Sequence, residues 1–181
     1  MSTDPGPRLA ARLSPLLHDP RDKHVLGGLI AALVAASFEV PRLILLAPAF
    51  RLRSAMVRYT PYIAPFLPVM KKSRPLPDTE TDPARRRLFA DYWADDHIYG
   101  ASNLERIRKT AIRRLPDVRS NVLVLTGSQD LTVQPSVGEY LRGAMIRAAS
   151  FENRMLEGAG HRFPFDVDSS RAAAVVREWL R

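Results

Sequence analysis

The chain has 181 residues, of which 46% are hydrophobic and 25% charged, and its formal net charge is +8. This composition supplies enough apolar side chains for a core, so it excludes a chain that is disordered throughout. Together with the length, it indicates one globular domain, or two at most. The absence of cysteine excludes disulfides, thiolate metal sites and thiol nucleophiles. Because no two of the four histidines have metal-ligand spacing, we expect neither a metal nor another cofactor.

The first 23 residues show no sustained hydrophobic period and are interrupted by prolines. We expect an irregular segment there and no signal peptide. The longest apolar stretch, 25–38, has 14 residues and is too short to cross a bilayer. We therefore expect a cytoplasmic protein without a transmembrane segment.

Apolar runs and capping signals then predict alternating helices and strands. A helix at 27–37 is apolar nearly all round and should be buried. Short apolar runs predict strands at 42–47, 121–126 and 151–156, in that spatial order. Further helices are expected at 136–147, after the capping-box spacing of Ser136 and Glu139, and at 170–180. This order implies the α/β class, with a parallel sheet of about three strands, flanking helices and right-handed crossovers.

The middle segment, residues 51–118, differs in composition from this core. Residues 51–119 hold 15 Lys and Arg against 8 Asp and Glu, so most of the net charge lies there, together with many prolines and aromatics. We expect several short helices, one beginning at Asp82-Pro83 and one opened by the capping-box spacing of Ser102 and Glu105. Because acids interleave with the basic runs and no nucleic-acid motif accompanies them, we expect no nucleic-acid binding.

Two loops that follow predicted strands carry residues with catalytic chemistry. The sequence GSQDLTV (127–133) follows the strand at 121–126, and GAGH (158–161) follows the strand at 151–156. In this order and spacing they resemble the acid and histidine loops of the α/β-hydrolase superfamily. The stretch 25–50 resembles the helix and strand that follow the nucleophile elbow in that family. The middle segment lies where such enzymes insert a helical cap, as in bacterial carboxylesterases and monoacylglycerol-lipase-like serine hydrolases.

The resemblance implies a partial α/β-hydrolase fold built from 24–50 and 119–181, with 51–118 as a helical cap insertion and 1–23 irregular. It implies that Asp130 orients His161 and that His161 is the general base, so we expect the two within hydrogen-bond reach. It also implies a small-molecule ester or acylglycerol substrate. The substrate-binding residues would be Leu26, through its backbone N–H at the oxyanion hole, and the acyl-pocket side chains Tyr59, Tyr62, Phe66 and Trp93.

One departure from the family pattern affects the nucleophile. The elbow reads G-x-S-x-G, and this sequence has Lys23 at the first glycine position and Val25 at the serine position. An isopropyl group cannot attack a carbonyl. We therefore expect that this chain lacks the nucleophile and the family's N-terminal strands, that it is inactive alone, and that it could pair with a missing N-terminal half or with another chain.

Two non-enzymatic readings remain open at this stage. In the first, the chain is an interaction module whose exposed sheet edge at 42–47 pairs with another protein. In the second, which the sequence favours less, the basic middle segment binds an anionic surface.

Overall fold

The computed structural model describes residues 23–67, 69–71, 95–164 and 168–181. The irregular segment expected at 1–23, apart from Lys23, lies outside the described residues. So do the helix start expected at Asp82-Pro83 and the expected acyl-pocket residue Trp93.

A three-stranded parallel sheet forms the centre of the described fold. The described strands of the chain, in order, are β1 (Arg42–Leu46), β2 (Val69–Lys71), β3 (Asp95–His97), β4 (Asn121–Gly127) and β5 (Ser150–Leu156). Three of them form the central sheet, in the order β1-β4-β5 and with both pairings parallel, which confirms the predicted strands and their spatial order. β4 is buried along nearly its whole length, as expected for a continuous apolar run in a central strand.

The helices are α1 (Lys23–Ala35), α2 (Thr60–Ile63), α3 (Ile98–Arg114), α4 (Val137–Ala144) and α5 (Ser169–Leu180), with 3-10 helices at Ala55–Tyr59 and Leu115–Asp117. The core helices lie where the sequence predicts them, although α1 begins four residues earlier than expected and α4 ends at Ala144 instead of 147. Ser136 occupies the N-cap position of α4, but its side chain makes no capping hydrogen bond. No helix in the described ranges combines the length and apolarity needed to cross a membrane.

The main core lies between α1, α3 and the sheet. Leu29 of α1, Leu45 of β1 and Ile107 of α3 are each fully buried in one cluster. Burying a side chain of this size stabilises a fold by about 1.5–3 kcal/mol. A second, smaller cluster around Leu125 and Phe163 joins apolar side chains near the carboxyl ends of β4 and β5 to the loop that follows β5. Packed apolar side chains therefore support this end of the sheet.

The middle segment contains short helices in its described part, and β2 and β3 also form an antiparallel two-stranded ribbon there. One expectation for the segment is corrected by the structure, because Ser102 and Glu105 do not open a helix. Both are buried inside α3, which begins at Ile98. Their capping-box spacing is coincidental, because the Glu105 carboxylate bonds to the side chain of Arg108, one turn further along the helix, instead of reaching back to a helix N-terminus.

Candidate active site

The loops after β4 and β5 are joined by backbone hydrogen bonds at the carboxyl end of the sheet. The N–H of Ser128 donates to the Leu156 carbonyl (3.1 Å), and the N–H of Gln129 donates to the Ala159 carbonyl (3.0 Å). A Cβ at Gly127 would lie 2.3 Å from the Ala159 oxygen, which is closer than any real contact. Glycine at this position therefore allows the two loops to approach each other this closely.

Asp130 is held by backbone groups of its own loop. Its side chain is buried, and its Oδ1 accepts hydrogen bonds from the backbone N–H of Thr132 (2.7 Å) and of Val133 (2.8 Å). The Asp130 carbonyl in turn accepts a hydrogen bond from Arg53 Nε (2.7 Å). Since both ends of the residue are fixed, the second carboxylate oxygen, Oδ2, has a defined direction.

That second oxygen contacts the imidazole of His161. The Asp130 Oδ2 to His161 Nδ1 distance is 2.8 Å, which confirms the expected hydrogen-bond reach. A carboxylate only accepts hydrogen bonds, so Nδ1 carries the proton and donates it. In the neutral ring Nε2 is then the acceptor, as a general base requires. The His161 side chain keeps 23% of its surface exposed, so the ring is not sealed inside the protein.

A short antiparallel ladder connects the Asp130 loop to the segment that follows β1. The N–H of Arg53 donates to the Thr132 carbonyl (2.9 Å), and the N–H of Gln134 donates to the Arg51 carbonyl (2.8 Å). Leu52 and Val133 form the bridge between these two bonds. The acid loop is thus attached both to the sheet and to the start of the middle segment.

The structure does not bring all of the predicted substrate-binding residues to the Asp130–His161 pair. Leu26 is buried in the main core, and its role as an oxyanion donor stays a prediction. Tyr59 and Tyr62 line an open cavity of about 470 Å³ that is lined by neither Asp130 nor His161. Phe66 is 88% exposed and does not line this cavity. The acyl-pocket roles of these aromatic residues, and of Trp93, likewise stay predictions.

Sequence reasoning missed the groups that position Asp130. An aspartate in a turn commonly accepts hydrogen bonds from the backbone N–H groups two and three residues later, so the bonds from Thr132 and Val133 could have been expected from the local sequence. Arg53 is 77 residues away in sequence, and nothing local indicates its contact. Among the described residues, no group of three or more His, Cys, Asp or Glu side chains is placed to hold a metal ion.

Comparison with known proteins gives the same architecture. A monoacylglycerol lipase from Paleococcus ferrophilus matches with 19% identity and a TM-score of 0.65, covering 86% of this chain and 65% of that one. A monoglyceride lipase from Saccharomyces cerevisiae matches with 17% identity and a TM-score of 0.66, covering 87% and 62%. An enol-lactonase from Burkholderia xenovorans matches with 23% identity and a TM-score of 0.58, covering 86% and 63%.

At these identities the likeness establishes the fold alone, and the chain spans less than two thirds of the length of these proteins. No curated protein matches the sequence significantly. A sequence model of the alpha/beta hydrolase family, however, matches residues 6–178, which is nearly the whole chain. The parallel sheet, the two joined loops and this match together show that the chain belongs to the alpha/beta hydrolase family.

Proposed function

We propose that the Asp130–His161 pair is the acid and base of a Ser-His-Asp ester hydrolase whose substrates are small carboxylic esters or acylglycerols. The observation that carries this proposal is the 2.8 Å contact between Asp130 Oδ2 and His161 Nδ1, made by an aspartate whose other oxygen is already bonded twice to backbone. The similar structures include lipases and a lactonase, which supports the substrate class. The middle segment is proposed to act as the cap.

In such a reaction the base accepts a proton from a serine hydroxyl while that oxygen attacks the ester carbonyl. His161 Nε2 then returns the proton to the leaving alcohol, and water repeats the cycle on the acyl intermediate. Val25, in the first turn of α1, occupies the position of the attacking residue and has no hydroxyl. The proposal is therefore that the chain alone does not hydrolyse esters through a serine mechanism.

Three variants test the base and the missing nucleophile separately. Val25→Ser alone should stay inactive, because Lys23 still occupies the first glycine position of the elbow. Lys23→Gly/Val25→Ser restores G-x-S-x-G at 23–27 and should be labelled covalently by a fluorophosphonate. Adding His161→Ala should abolish that labelling, because no base would then activate the hydroxyl.

The control is the unmodified chain with a short-chain nitrophenyl ester. Its turnover should equal that of buffer and of the His161→Ala variant. Turnover that disappears with His161→Ala would show that another residue is the nucleophile. If the double variant is labelled equally with and without His161, the assigned base is wrong.

A second candidate function rests on β1. Among the described strands of its sheet, β1 is an outer strand that pairs with β4 alone. Its Leu46 side chain is 37% exposed and Ile44 is half-buried. An edge of this kind can receive a strand from another polypeptide. Sedimentation over a range of concentrations tests this candidate, since a monomer at high concentration would contradict self-pairing through β1.

A further inference from the structure

The cavity of about 470 Å³ is separate from the Asp130–His161 pair and has a different chemical character. Its walls come from the segment after β1, from the 3-10 helix Ala55–Tyr59 and from α3. A concave site of this volume is in the range that holds small molecules.

The charged residues of the cavity are mostly positive. Four cations line it, namely Arg51, Arg58, Arg108 and Lys109, against the single carboxylate of Glu105, so the lining has a surplus of three positive charges. This surplus would disfavour a cationic ligand and attract an anionic one.

Glu105 forms ion pairs with two of these cations, Arg108 and Lys109, and holds the first of them in place. Its side chain is 1% exposed, and both of its oxygens accept hydrogen bonds from Arg108, at 2.7 and 2.9 Å. Arg108 also donates to the Phe50 carbonyl (3.0 Å). A guanidinium has five N–H groups, and these contacts use three of them. The remaining two have no acceptor in the described part of the chain, so a fixed guanidinium retains donors for a ligand.

The other two arginines make cation–π contacts with aromatic rings. Arg51 lies over Tyr140 at 5.4 Å from the ring centroid, and Arg58 lies over Tyr59 at 5.6 Å. Within the described ranges neither arginine has a carboxylate partner. A cation–π contact uses no N–H group of the guanidinium. Arg58 Nε donates to the Ala55 carbonyl (3.3 Å), and the other N–H groups of Arg58 and those of Arg51 have no acceptor in the described part of the chain. Both side chains are therefore oriented without being neutralised.

We propose that this cavity binds the oxyanion of a small acidic molecule, a carboxylate or a phosphate, through Arg51, Arg58 and Arg108. The body of the ligand would pack against Tyr59 and Tyr62, which line the same cavity. A guanidinium group presents pairs of parallel N–H donors, and these match the paired oxygens of a carboxylate and of a phosphate. The site involves neither Asp130 nor His161, so anion binding can be measured without hydrolysis.

The test is calorimetric titration of the full chain at fixed ionic strength with phenyl phosphate, benzoate and phenol. The three probes share one ring, so the comparison isolates the anionic group. We expect one or both anions to bind and phenol to bind at least tenfold more weakly. The two anionic arms show which oxyanion the cavity prefers.

Two matched variants identify the site. Arg51→Gln/Arg58→Gln should weaken anion binding at least tenfold, and both positions are exposed, so circular dichroism should show an unchanged fold. Arg113→Gln, at an exposed arginine of α3 outside the cavity, should change binding by less than twofold. The proposal is overturned if neither anion binds, if phenol binds equally well, or if the control variant loses as much affinity as the double variant.

Discussion

Replacing Asp130 by alanine should destabilise the fold far more than removing an ordinary surface aspartate. The change deletes the acceptor of two backbone N–H groups and the partner of His161. Val133 is 1% exposed, so its N–H would be left without an acceptor at a cost of about 1–3 kcal/mol. Thr132 is exposed and can bond to water instead. Adding the lost histidine contact, we expect a total of about 2–4 kcal/mol.

Asp130→Asn is the matched comparison, because the amide keeps one oxygen that can accept the same two N–H bonds. It should cost about 1 kcal/mol. With a denaturant slope of about 2 kcal/mol/M, the alanine variant should therefore unfold about 1 M earlier in urea than the asparagine variant. The surface control is Asp117→Ala, whose exposed ion pairs with Arg114 and Arg147 should contribute at most about 1 kcal/mol.

The asparagine variant also tests how the histidine is oriented. With an amide NH₂ facing it, His161 Nδ1 must become the acceptor, which transfers the ring proton to Nε2. Nitrogen-15 NMR of the ring should show this change of tautomer. Two results would refute the reasoning: alanine and asparagine variants with the same urea midpoint, or a ring tautomer that does not depend on residue 130.

Two further substitutions probe contacts near β4 and β5. Gly127→Ala should lower the free energy of unfolding by about 1–3 kcal/mol, because the new methyl group would collide with the Ala159 carbonyl. The control is Gly143→Ala, which should cause no such loss because a Cβ there meets nothing within 4 Å. Equal thermal midpoints for the two variants would contradict this expectation. The hydrogen bond from Arg154 lowers the pKa of the Glu178 carboxyl. The contribution of this ion pair to the free energy of unfolding is therefore present at neutral pH and is lost as the pH falls through the lowered pKa of Glu178. The difference in urea midpoint between the native chain and Glu178→Gln should therefore disappear at strongly acidic pH. A difference that grows there would contradict the stabilising role given to the Arg154–Glu178 ion pair.

The central sheet and the Asp130–His161 contact could be predicted because both depend on local patterns. The apolar runs that form β1, β4 and β5 are bounded by polar residues, and parallel strands place the loops that follow them at one end of the sheet. The resemblance of the two loops to those of the α/β-hydrolase family predicted the contact. The topology permits it, because Asp130 lies three residues after β4 and His161 five residues after the neighbouring strand β5.

Features that depend on distant contacts could not be predicted. The spacing of Ser102 and Glu105 suggested a helix start, but the buried carboxylate of Glu105 bonds to Arg108 within the helix. The contact of Arg53 with the Asp130 carbonyl joins segments far apart in sequence. The sequence did not indicate how exposed the aromatic residues of the middle segment are, and Phe66 is 88% exposed. Aromatic content does not determine burial, because burial depends on which other elements pack over the side chain.

The ladder between 51–53 and 132–134 has a mechanical consequence. Backbone bonds from Arg53 to Thr132 and from Gln134 to Arg51 attach the start of the middle segment to the acid loop. At its other end the middle segment is fixed as well, because Ile107 of α3 is buried in the main core. A displacement of the segment would therefore be confined to residues between these two attachments and would start at Ser54, the extended residue that precedes the 3-10 helix. Such a displacement would leave the backbone bonds of the Asp130 loop intact.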